Sequence, residues 1–398
     1  MKDSIIVAGG GIGGLATALA LANKGRRSIV LEQSPQFGEI GAGIQLAPNA
    51  FHAFDALGIG ERARKGAVFV DELVLMDAAG GERIVGIPVG ERFRTRFGNP
   101  YAVVHRADLH DALLDGCRNS GLVDLRVSSR VTGYDQTGSS VTVALASGAR
   151  IEGAALVGAD GLWSAVRAQL AGDGPPVVSG HTTFRSVIST DKMPEDLRWN
   201  AATLWAGPKC HLVHYPLKDG KVFNLVVTTD NNAPEAVAGQ AVAKHDVHAS
   251  FPHICDRARQ IIDHGENWKF WVLCYREPIA NWVDGPVALL GDAAHPMLQY
   301  FAQGAAMAME DAVCLGEMVE THGADYVSAF AAYNRLRAPR TGRVQIGSRL
   351  IGEYIYHPDG AKAEVRNVAM RANSADDFYD SLEWLYGCLL YTSPSPRD

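Results

Sequence analysis

The chain has 398 residues, of which 47% are hydrophobic and 20% are charged, a balance typical of a globular protein that can bury one large core or two smaller ones. Its formal net charge is −7, from 37 basic and 44 acidic residues, and the basic residues are scattered apart from a group between Arg335 and Arg343. This distribution argues against a nucleic-acid partner and favours a small molecule. The six cysteines are widely spaced, without a CxxC pair or zinc-ligand spacing, which predicts a reducing cytoplasm and no metal site.

The N-terminal segment predicts a βαβ unit over residues 5–32. The stretch "IIVAGGG" is typical of a strand and a turn, "IGGLATALALANKG" has apolar residues at helical spacing, and "RSIVLE" is typical of a second strand. Five glycines among residues 9–14 would break a membrane-spanning helix there, and the N-terminus has no basic region or cleavage site of a signal peptide. We therefore expect neither a membrane span nor secretion.

The glycine turn fits the pattern G-x-G-x-x-G. Gly9 would permit the tight turn, Gly11 would let the backbone approach a pyrophosphate, and Gly14 would allow close packing of helix and strand. The helix N-terminus would then face the phosphates. Glu32 ends the second strand, where a carboxylate can accept hydrogen bonds from ribose hydroxyls. The unit predicts dinucleotide binding but does not by itself distinguish FAD from NAD.

Further along the chain, short apolar strands alternate with turns and helices. The stretch "VHRADLHDALLDGCRNSG" predicts a helix with Asp108 as its N-cap, and "EGAALVGADG" and "GPVALLGDAAHP" are typical of buried parallel strands that end in Gly/Asp turns. Between these two strands, residues 179–275 are β-rich, with a hairpin turn predicted at Lys218-Asp219-Gly220. After Gly304 the sequence becomes helical. Taken alone, Asp292 could be a helix cap, a metal ligand or an acceptor for a bound molecule.

Three further motifs extend the pattern: "GADGLWSAVR" (Gly158–Arg167), "GDAAHP" (Gly291–Pro296) and "VVHRADLH" (Val103–His110). With the glycine turn, the chain resembles the single-component flavoprotein aromatic hydroxylases, which carry GxGxxG, DG and GD motifs in this order. The resemblance covers nearly all of residues 4–387. It implies an α/β fold in which a Rossmann-like FAD-binding domain is interrupted by an inserted β-sheet substrate domain and followed by a C-terminal helical segment.

The expected domain boundaries follow from these motifs. The predicted ranges are 1–72, 98–178 and 276–345 for the FAD-binding domain, 73–97 and 179–275 for the substrate domain, and 346–387 for the C-terminal helices. The remaining stretch, "CLLYTSPSPRD" (Cys388–Asp398), resembles a translated sequencing adapter. We expect this tail to be non-native and the native C-terminus to be missing.

The resemblance implies tightly bound FAD, O₂ as co-substrate and NADH as a transient donor without a pocket of its own. Asp292 would accept from the ribityl chain, Arg106 would contact the cofactor, and Asp160 would serve both the cofactor and the donor. The helix from about Gly304 would stabilise the reduced flavin through its N-terminal amides. For Gln45, contact with the flavin and a turn-stabilising role are both open. The predicted cofactor-binding residues are Gly9, Gly11, Gly14, Glu32, Gln45, Arg106, Asp160, Asp292, Pro296 and Gly304.

The predicted substrate site begins in the strand "CHLVHYPL". Alternation places His211 and Tyr215 on one face of the strand and His214 on the other. Core, surface and functional roles are all compatible with this pattern. This strand and "MLQYFAQGA" are similar to the 3-hydroxybenzoate 6-monooxygenases. The similarity implies that His211 and Gln299 contact a substrate phenol and that Tyr215 helps to hold the ring, so these three are the predicted catalytic residues. Many salicylate hydroxylases have proline in place of Gln299.

The chemistry of electrophilic hydroxylation explains this choice of residues. The phenol must be hydrogen-bonded or deprotonated, for which a histidine with a near-neutral pKa is suitable, while Gln299 fixes the oxygen without adding charge. Water must also be excluded, and apolar neighbours suit that role, although ordinary packing is equally compatible with them. These neighbours are Val213, Met297, Leu298 and Phe301.

We therefore expect an NADH- and FAD-dependent monooxygenase that converts 3-hydroxybenzoate to gentisate through a C4a-hydroperoxyflavin. A salicylate 1-hydroxylase is the nearest alternative. A flavoprotein reductase or dehydrogenase without oxygen insertion, or a non-catalytic FAD-binding protein, would be alternatives from other classes. The expected partner is a small aromatic acid, and the sequence leaves the oligomeric state open, with a homodimer as one alternative.

Overall fold

The computed structural model describes residues 3–38, 43–137 and 140–387, so the tail predicted to be non-native, residues 388–398, lies outside the described residues. The α-helices are α1 Ile12–Asn23, α2 Pro48–Ala56, α3 Gly60–Lys65, α4 Glu91–Phe97, α5 Arg106–Ser120, α6 Ala165–Ala171, α7 Lys244–Ala249, α8 Asp256–His264, α9 Gly304–His322, α10 Tyr326–Ile351, α11 Gly360–Ala372 and α12 Ala375–Tyr386. The strands are β1 Ile5–Ala8, β2 Ser28–Leu31, β3 Gly43–Leu46, β4 Val68–Phe69, β5 Glu72–Asp77, β6 Arg83–Pro88, β7 Ala102–His105, β8 Val123–Arg126, β9 Val131–Thr137, β10 Ser140–Leu145, β11 Arg150–Gly153, β12 Ala155–Gly158, β13 Val177–Ser189, β14 Ala201–Gly207, β15 Cys210–Leu217, β16 Val222–Asp230, β17 Ala238–Ala241, β18 Lys269–Tyr275, β19 Val283–Asp284 and β20 Val287–Leu289.

The nucleotide-binding sheet has the strand order β19-β20-β12-β1-β2-β8. Its strands run parallel except β19, which pairs antiparallel with β20. Strands β1, β2 and β12 are buried along their whole length, as expected of a parallel sheet that is covered on both faces, and β10 of the antiparallel sheet β11-β10-β9 packs near β12. The predicted βαβ unit is confirmed as β1, α1 and β2. Because β1, β12 and β20 are parallel, the turns that follow them meet at one edge of the sheet.

The larger sheet has the order β17-β18-β13-β16-β15-β14-β5-β6 and is antiparallel except where β14 pairs with β5. The predicted hairpin is confirmed as β15 and β16. Its turn residues Lys218, Asp219 and Gly220 all have positive φ angles, of 51°, 57° and 75°. One face of this sheet packs with α7 and α8, where Leu212 belongs to a buried cluster with Ile261. On the opposite face, Tyr215 belongs to a buried cluster with Val103 of β7 and Met307 of α9.

Helix α5 begins earlier than the sequence predicts. Its N-cap is His105, and Asp108 lies in the first turn, so the prediction of Asp108 as the N-cap is wrong. The reason is that β7 ends at His105 and the chain enters the helix directly. In the first turn, the carboxylate of Asp108 still interacts favourably with the helix dipole.

The C-terminal part of the chain is helical, and α9 begins at Gly304 as predicted. A π-helical turn, Gly352–Tyr356, follows α10 and brings His357 back to the larger sheet, where its carbonyl accepts from the backbone N–H of Lys209 at 3.3 Å. Helix α12 packs on α4, with the ring centroids of Phe97 and Tyr386 5.7 Å apart. None of the helices in the described part of the chain has the length and apolar character that a membrane crossing needs.

Candidate functional site

A cavity of about 710 Å³ extends from the edge of the nucleotide-binding sheet to the inner face of the larger sheet. Most of the predicted site residues lie on its wall, and Gly14 and Pro296 do not. The predicted residues on the wall are Gly9, Gly11, Glu32, Gln45, Arg106, Asp160, His211, Tyr215, Asp292, Gln299 and Gly304. The structure thus brings the nucleotide motifs and the predicted substrate residues to one connected space.

The glycine turn after β1 is too crowded for side chains. Gly9 has a φ of +106°, and a Cβ there would lie 2.3 Å from the carbonyl oxygen of Ala159. A Cβ on Gly14 would lie 2.0 Å from the carbonyl oxygen of Gly9, so Gly14 allows α1 to pack against the turn from behind the cavity wall. Gly11 precedes α1, whose first turn receives no side-chain cap from the described residues. These free amides suit a pyrophosphate, and the cradle fits a dinucleotide.

Glu32 stands beside the glycine turn. Its Oε2 accepts from the backbone N–H of Gly10 at 2.8 Å, and its Oε1 accepts from the backbone N–H of Ser34 at 2.8 Å. An ionised carboxylate has about four acceptor positions, so these two bonds leave room for ribose hydroxyls. The backbone contacts therefore hold the carboxylate at the cavity wall, in an orientation that can serve an adenosine ribose.

Asp160 accepts hydrogen bonds at the start of α6, whose N-cap is Ser164. Its carboxylate accepts from the Ser164 hydroxyl and from the backbone N–H groups of Ala165 at 2.8 Å and Val166 at 3.3 Å. Burial raises the pKa of Asp160, while these bonds act in the opposite direction. The DG turn is thus fixed against α6, and the carboxylate reaches the cavity wall with part of its acceptor capacity already used.

The GD turn is held by a buried charged group. Gly291 has a φ of +59°, which lets β20 turn sharply into the segment that carries exposed Asp292. Asp311 accepts from the backbone N–H of Gly291 at 3.2 Å, from His295 and from Arg337 Nε at 2.7 Å. His295 is therefore engaged by Asp311, and no metal-binding group of histidine, cysteine and acidic residues occurs among the described residues.

The positions of Asp292 and Gln45 exclude some of the roles that the sequence left open for these two residues. The turn containing Asp292 begins after Leu290 without a side-chain cap from the described residues, so Asp292 is not its N-cap. Gln45 lies within strand β3, not in a turn, and its Oε1 accepts from the hydroxyl of Tyr101 at 2.7 Å. Both side chains line the cavity, as does Gly304 at the start of α9. No side chain of the described residues caps the amides at that start, and these amides suit an anionic ring system.

His211 lies at the end of the cavity that the larger sheet forms, and it has a histidine partner that the sequence did not indicate. Nδ1 of His211 is 2.8 Å from Nε2 of His357. Burial lowers the pKa of His211 well below its ordinary value, and the neighbouring His357 and His181 lower it further. The expectation of a near-neutral pKa is therefore wrong, because the sequence does not show how deeply this strand is buried. His211 is a neutral imidazole at physiological pH.

Aromatic and histidine side chains surround this pair. Burial lowers the pKa of His357 to about 3, so both partners are neutral and one ring nitrogen donates to the other. The hydroxyl of Tyr300 is hydrogen-bonded to Nδ1 of His181, and the ring of Tyr356 lies 4.8 Å from that of His211. Tyr356 also lines the cavity. The π-helical turn thus forms part of the cavity wall through Tyr356, a contribution that the sequence did not predict.

Gln299 is fixed by three hydrogen bonds. Its Nε2 donates to the hydroxyls of Thr183 at 3.2 Å and Thr228 at 3.1 Å, and its Oε1 accepts from Arg185 at 3.2 Å. Thr228 pairs across the sheet with both His211 and Thr183, so the amide and the imidazole lie over neighbouring positions of the same face. Arg185 and the two threonines were missed by the sequence interpretation.

The apolar residues that the sequence predicted to exclude water differ in whether they line the cavity. Val213, Met297 and Leu298 line the cavity as expected. Phe301 does not, because its ring fills the space beside Gly347 and contacts Trp384 with centroids 6.3 Å apart. Phe301 therefore joins the GD segment to the C-terminal helices. Tyr215 packs over Gly43, where a Cβ would lie 2.7 Å from its hydroxyl oxygen.

Comparison with known proteins gives consistent results. A family model described as an FAD binding domain matches residues 2–345. The 3-hydroxybenzoate 6-hydroxylase 1 of Aquipseudomonas alcaligenes is 55% identical over 387 residues, covering 97% of this chain and 98% of the relative. The 3-hydroxybenzoate 6-hydroxylase of Polaromonas naphthalenivorans is 51% identical over 383 residues, covering 96% and 95%.

Solved structures show the same fold. The HpxO protein of Klebsiella pneumoniae, complexed with FAD and uric acid, is 25% identical with a TM-score of 0.85, covering 97% of this chain and 98% of that chain. A salicylate hydroxylase substrate complex, 23% identical, has a TM-score of 0.83 and covers 99% of each chain. The α/β fold of Rossmann type and the resemblance to flavoprotein hydroxylases are thereby confirmed. The chain belongs to the FAD binding domain family.

Proposed function

We propose that this protein is an FAD-dependent aromatic hydroxylase that converts 3-hydroxybenzoate, NADH, O₂ and a proton to gentisate, NAD⁺ and water. Two relatives at 55% and 51% identity carry the name 3-hydroxybenzoate 6-hydroxylase. The structural observation that carries the proposal is that His211, Tyr215 and Gln299 line the same cavity as the three nucleotide motifs. A phenol at the substrate end would therefore share one enclosed space with the cofactor.

The residues present fit FAD, and we propose their roles from their positions. The turn at Gly9 and Gly11 and the start of α1 would hold the pyrophosphate, Glu32 the adenosine ribose, and Asp292 the ribityl chain. The start of α9 would face the flavin. When bound, FAD supplies hydride acceptance from NADH and activation of O₂ for electrophilic oxygen transfer.

His211 would raise the electron density of the ring to be hydroxylated. Its Nδ1 is taken up by His357, which leaves Nε2 for the cavity. If Nδ1 carries the proton and donates to His357, Nε2 is an unprotonated acceptor that can take a hydrogen bond from the phenol. Accepting that bond shifts electron density toward the ortho and para carbons. His357 therefore has a positioning role, because it fixes which nitrogen of His211 faces the substrate.

Gln299 would position the phenol oxygen. Both N–H groups of its amide are engaged by Thr183 and Thr228, so a contact with the phenol oxygen exchanges one of these bonds for a bond to the substrate. The exchange costs little, because the freed threonine hydroxyl keeps the other threonine as a partner, their oxygens lying 2.8 Å apart. Val213, Met297 and Leu298 would exclude water from the same region.

Replacement of His211 by alanine tests this mechanism. We expect product formation to slow by about 10²-fold or more, because the acceptor for the phenol proton is lost. The matched control is Cys210→Ala, since Cys210 is the preceding residue and packs in the cluster on the opposite face of the sheet. The measurement is single-turnover product formation in holoenzyme with FAD bound. Unchanged product formation in His211→Ala would remove His211 from the mechanism.

A salicylate 1-hydroxylase remains the second candidate function. The salicylate hydroxylase complex shares the fold at 23% identity. We propose the 3-hydroxybenzoate activity over it because a glutamine stands at position 299, where its amide contacts the face of the sheet that carries His211. Chromatography of the products from both acids distinguishes the two functions.

We also propose the domain division at residues 1–72, 98–178 and 276–345 for FAD, 73–97 and 179–275 for the substrate, and 346–387 for the C-terminal helices. The separate sheets support it.

We further propose a cytoplasmic enzyme, which is supported by the free thiols of all the described cysteines. A homodimer is one alternative for its assembly, which sedimentation equilibrium distinguishes from a monomer.

A further inference from the structure

Arg185 brings a positive charge to the substrate end of the cavity. It lies on β13, is half-buried and lines the cavity wall. Across the sheet it pairs with Val226, which pairs in turn with Val213 on β15. The row of Arg185 is therefore one pleat away from the row of His211. From standard strand spacing, the Cα atoms of Arg185 and His211 are about 12 Å apart, with both side chains facing the cavity.

The contacts of Arg185 are with neutral groups. One terminal nitrogen donates to Oε1 of Gln299 at 3.2 Å, and the guanidinium carbon lies 5.3 Å from the ring centroid of Trp271. Its Nε is buried and has no hydrogen-bond partner among the described residues. Burial lowers the pKa of Arg185, Tyr215 acts in the opposite direction, and the charge of Arg106 lowers the pKa further. The half-buried cation thus lacks a carboxylate partner among the described residues.

Among the described residues, three of the four fully buried arginines have carboxylate partners, and the fourth, Arg366, bonds to Asn367 and to the carbonyl of Ile355. Arg167 and Arg276 both pair with Asp173, at 2.6 Å and 3.0 Å, and Arg337 pairs with Glu310 at 2.7 Å. A buried guanidinium is ordinarily compensated in this way, because an unpaired buried charge is costly. No carboxylate among the described residues forms an ion pair with Arg185. Because Arg185 lines the cavity, a ligand in the cavity can supply a balancing negative charge.

We propose that Arg185 binds the carboxylate of the aromatic substrate and thereby selects ring acids that carry a phenol within reach of His211. The inference rests on the proposed function, because it assigns the second polar group of a hydroxybenzoate. A planar guanidinium presents paired N–H donors that match a carboxylate. Fixing this end of the ring orients the carbon to be hydroxylated. A neutral phenol leaves the cation unbalanced and is disfavoured.

Gln299 links the carboxylate site to the phenol site. In the described structure its Oε1 accepts from Arg185, while its Nε2 donates to the threonines beside His211. A substrate carboxylate that takes the donors of Arg185 competes with Oε1 and frees the amide. The freed amide can then turn an N–H toward the phenol oxygen. Binding of the acid group therefore favours the contact that Gln299 makes with the phenol.

The test compares Arg185→Met, which removes the charge at similar length, with Arg185→Lys, which keeps the charge but loses the paired donors. Arg94→Met is the matched control, because Arg94 also lies over an aromatic ring, that of Phe69, but is exposed and outside the cavity wall. The readout is the dissociation constant measured from the change in flavin absorbance of oxidised holoenzyme. The ligands are 3-hydroxybenzoate and its neutral analogue 3-hydroxybenzamide.

We expect Arg185→Met to weaken binding of 3-hydroxybenzoate on the order of 10²-fold, with binding of 3-hydroxybenzamide changed less than about threefold. Arg185→Lys should fall between this variant and the wild type, and Arg94→Met should match the wild type. Unchanged binding of 3-hydroxybenzoate by Arg185→Met would overturn the proposal. Equal weakening of both ligands would also overturn it, because the loss would then come from a disturbed cavity.

Failure of this inference is separate from failure of the proposed function. If the wild type forms gentisate while Arg185→Met binds 3-hydroxybenzoate normally, the function stands and the role of Arg185 is overturned. If the wild type hydroxylates only salicylate, the proposed function fails. In that case an Arg185-dependent preference for salicylate over salicylamide still supports the carboxylate site, and its absence overturns it.

Discussion

Replacement of His214 by leucine tests how deeply strand β15 is buried. His214 is fully buried on β15, and both of its ring nitrogens lack a hydrogen-bond partner among the described residues. Burial lowers its pKa from 6.5 to about 3. The unfolded chain therefore binds a proton as the pH falls below about 6.5, whereas the folded chain resists it until about pH 3, and stability is lost over that window.

The size of the effect follows from the linkage between proton binding and folding. The free energy of unfolding falls by about 1.4 kcal/mol for each pH unit below 6.5, so His214 alone costs about 2 kcal/mol at pH 5 relative to pH 7. His214→Leu removes this cost. At pH 7 the variant should be at least as stable as the wild type, because leucine needs no hydrogen-bond partner there.

Urea unfolding of holoenzyme at pH 7 and pH 5, followed by tryptophan fluorescence, measures the difference. Both proteins keep the contribution of His357, whose pKa is also about 3, so the comparison isolates His214. We expect the stability advantage of His214→Leu to grow by about 2 kcal/mol between pH 7 and pH 5. An equal pH dependence in the two proteins would refute the burial that underlies the description of this strand.

Two other substitutions test the nucleotide end of the cavity. Gly14→Ala places a Cβ 2.0 Å from the carbonyl oxygen of Gly9 and should abolish FAD retention, measured as the flavin-to-protein absorbance ratio. Gly90→Ala, where a Cβ meets no atom of the described residues within 4 Å, is the control, and full retention by Gly14→Ala would contradict the packing argument. Asp311→Asn leaves Arg337 with less compensation and should lower the free energy of unfolding by about 3–5 kcal/mol in urea titrations, whereas a loss under about 1 kcal/mol would contradict the buried network.

The features that the sequence predicted correctly are local. The glycine turn is encoded by contiguous residues, and Gly9 has the positive φ that its position requires. The hairpin around Gly220 is likewise encoded by neighbouring turn residues and by alternation along β15. Such patterns need no knowledge of distant contacts, because backbone sterics and side-chain periodicity determine them.

The features that the sequence missed depend on long-range pairing. His357 meets His211 from 146 residues away, through a π-helical turn that no local pattern indicates. The pKa of His211 departs from the expected value because burial is a property of the packed sheet. Arg185 did leave a signal, since alternation puts it on the same face of its strand as His181 and Thr183. That face could be recognised as the cavity side only once β13 was seen to pair with β16.

The central claim is that the cavity orients 3-hydroxybenzoate for hydroxylation para to its phenol. The most direct measurement is chromatographic identification of the product from purified holoenzyme with 3-hydroxybenzoate, NADH and O₂, together with the amount of NADH consumed. The account predicts gentisate, formed in an amount equal to the NADH oxidised. Absence of gentisate, together with stoichiometric formation of catechol from salicylate, would contradict it.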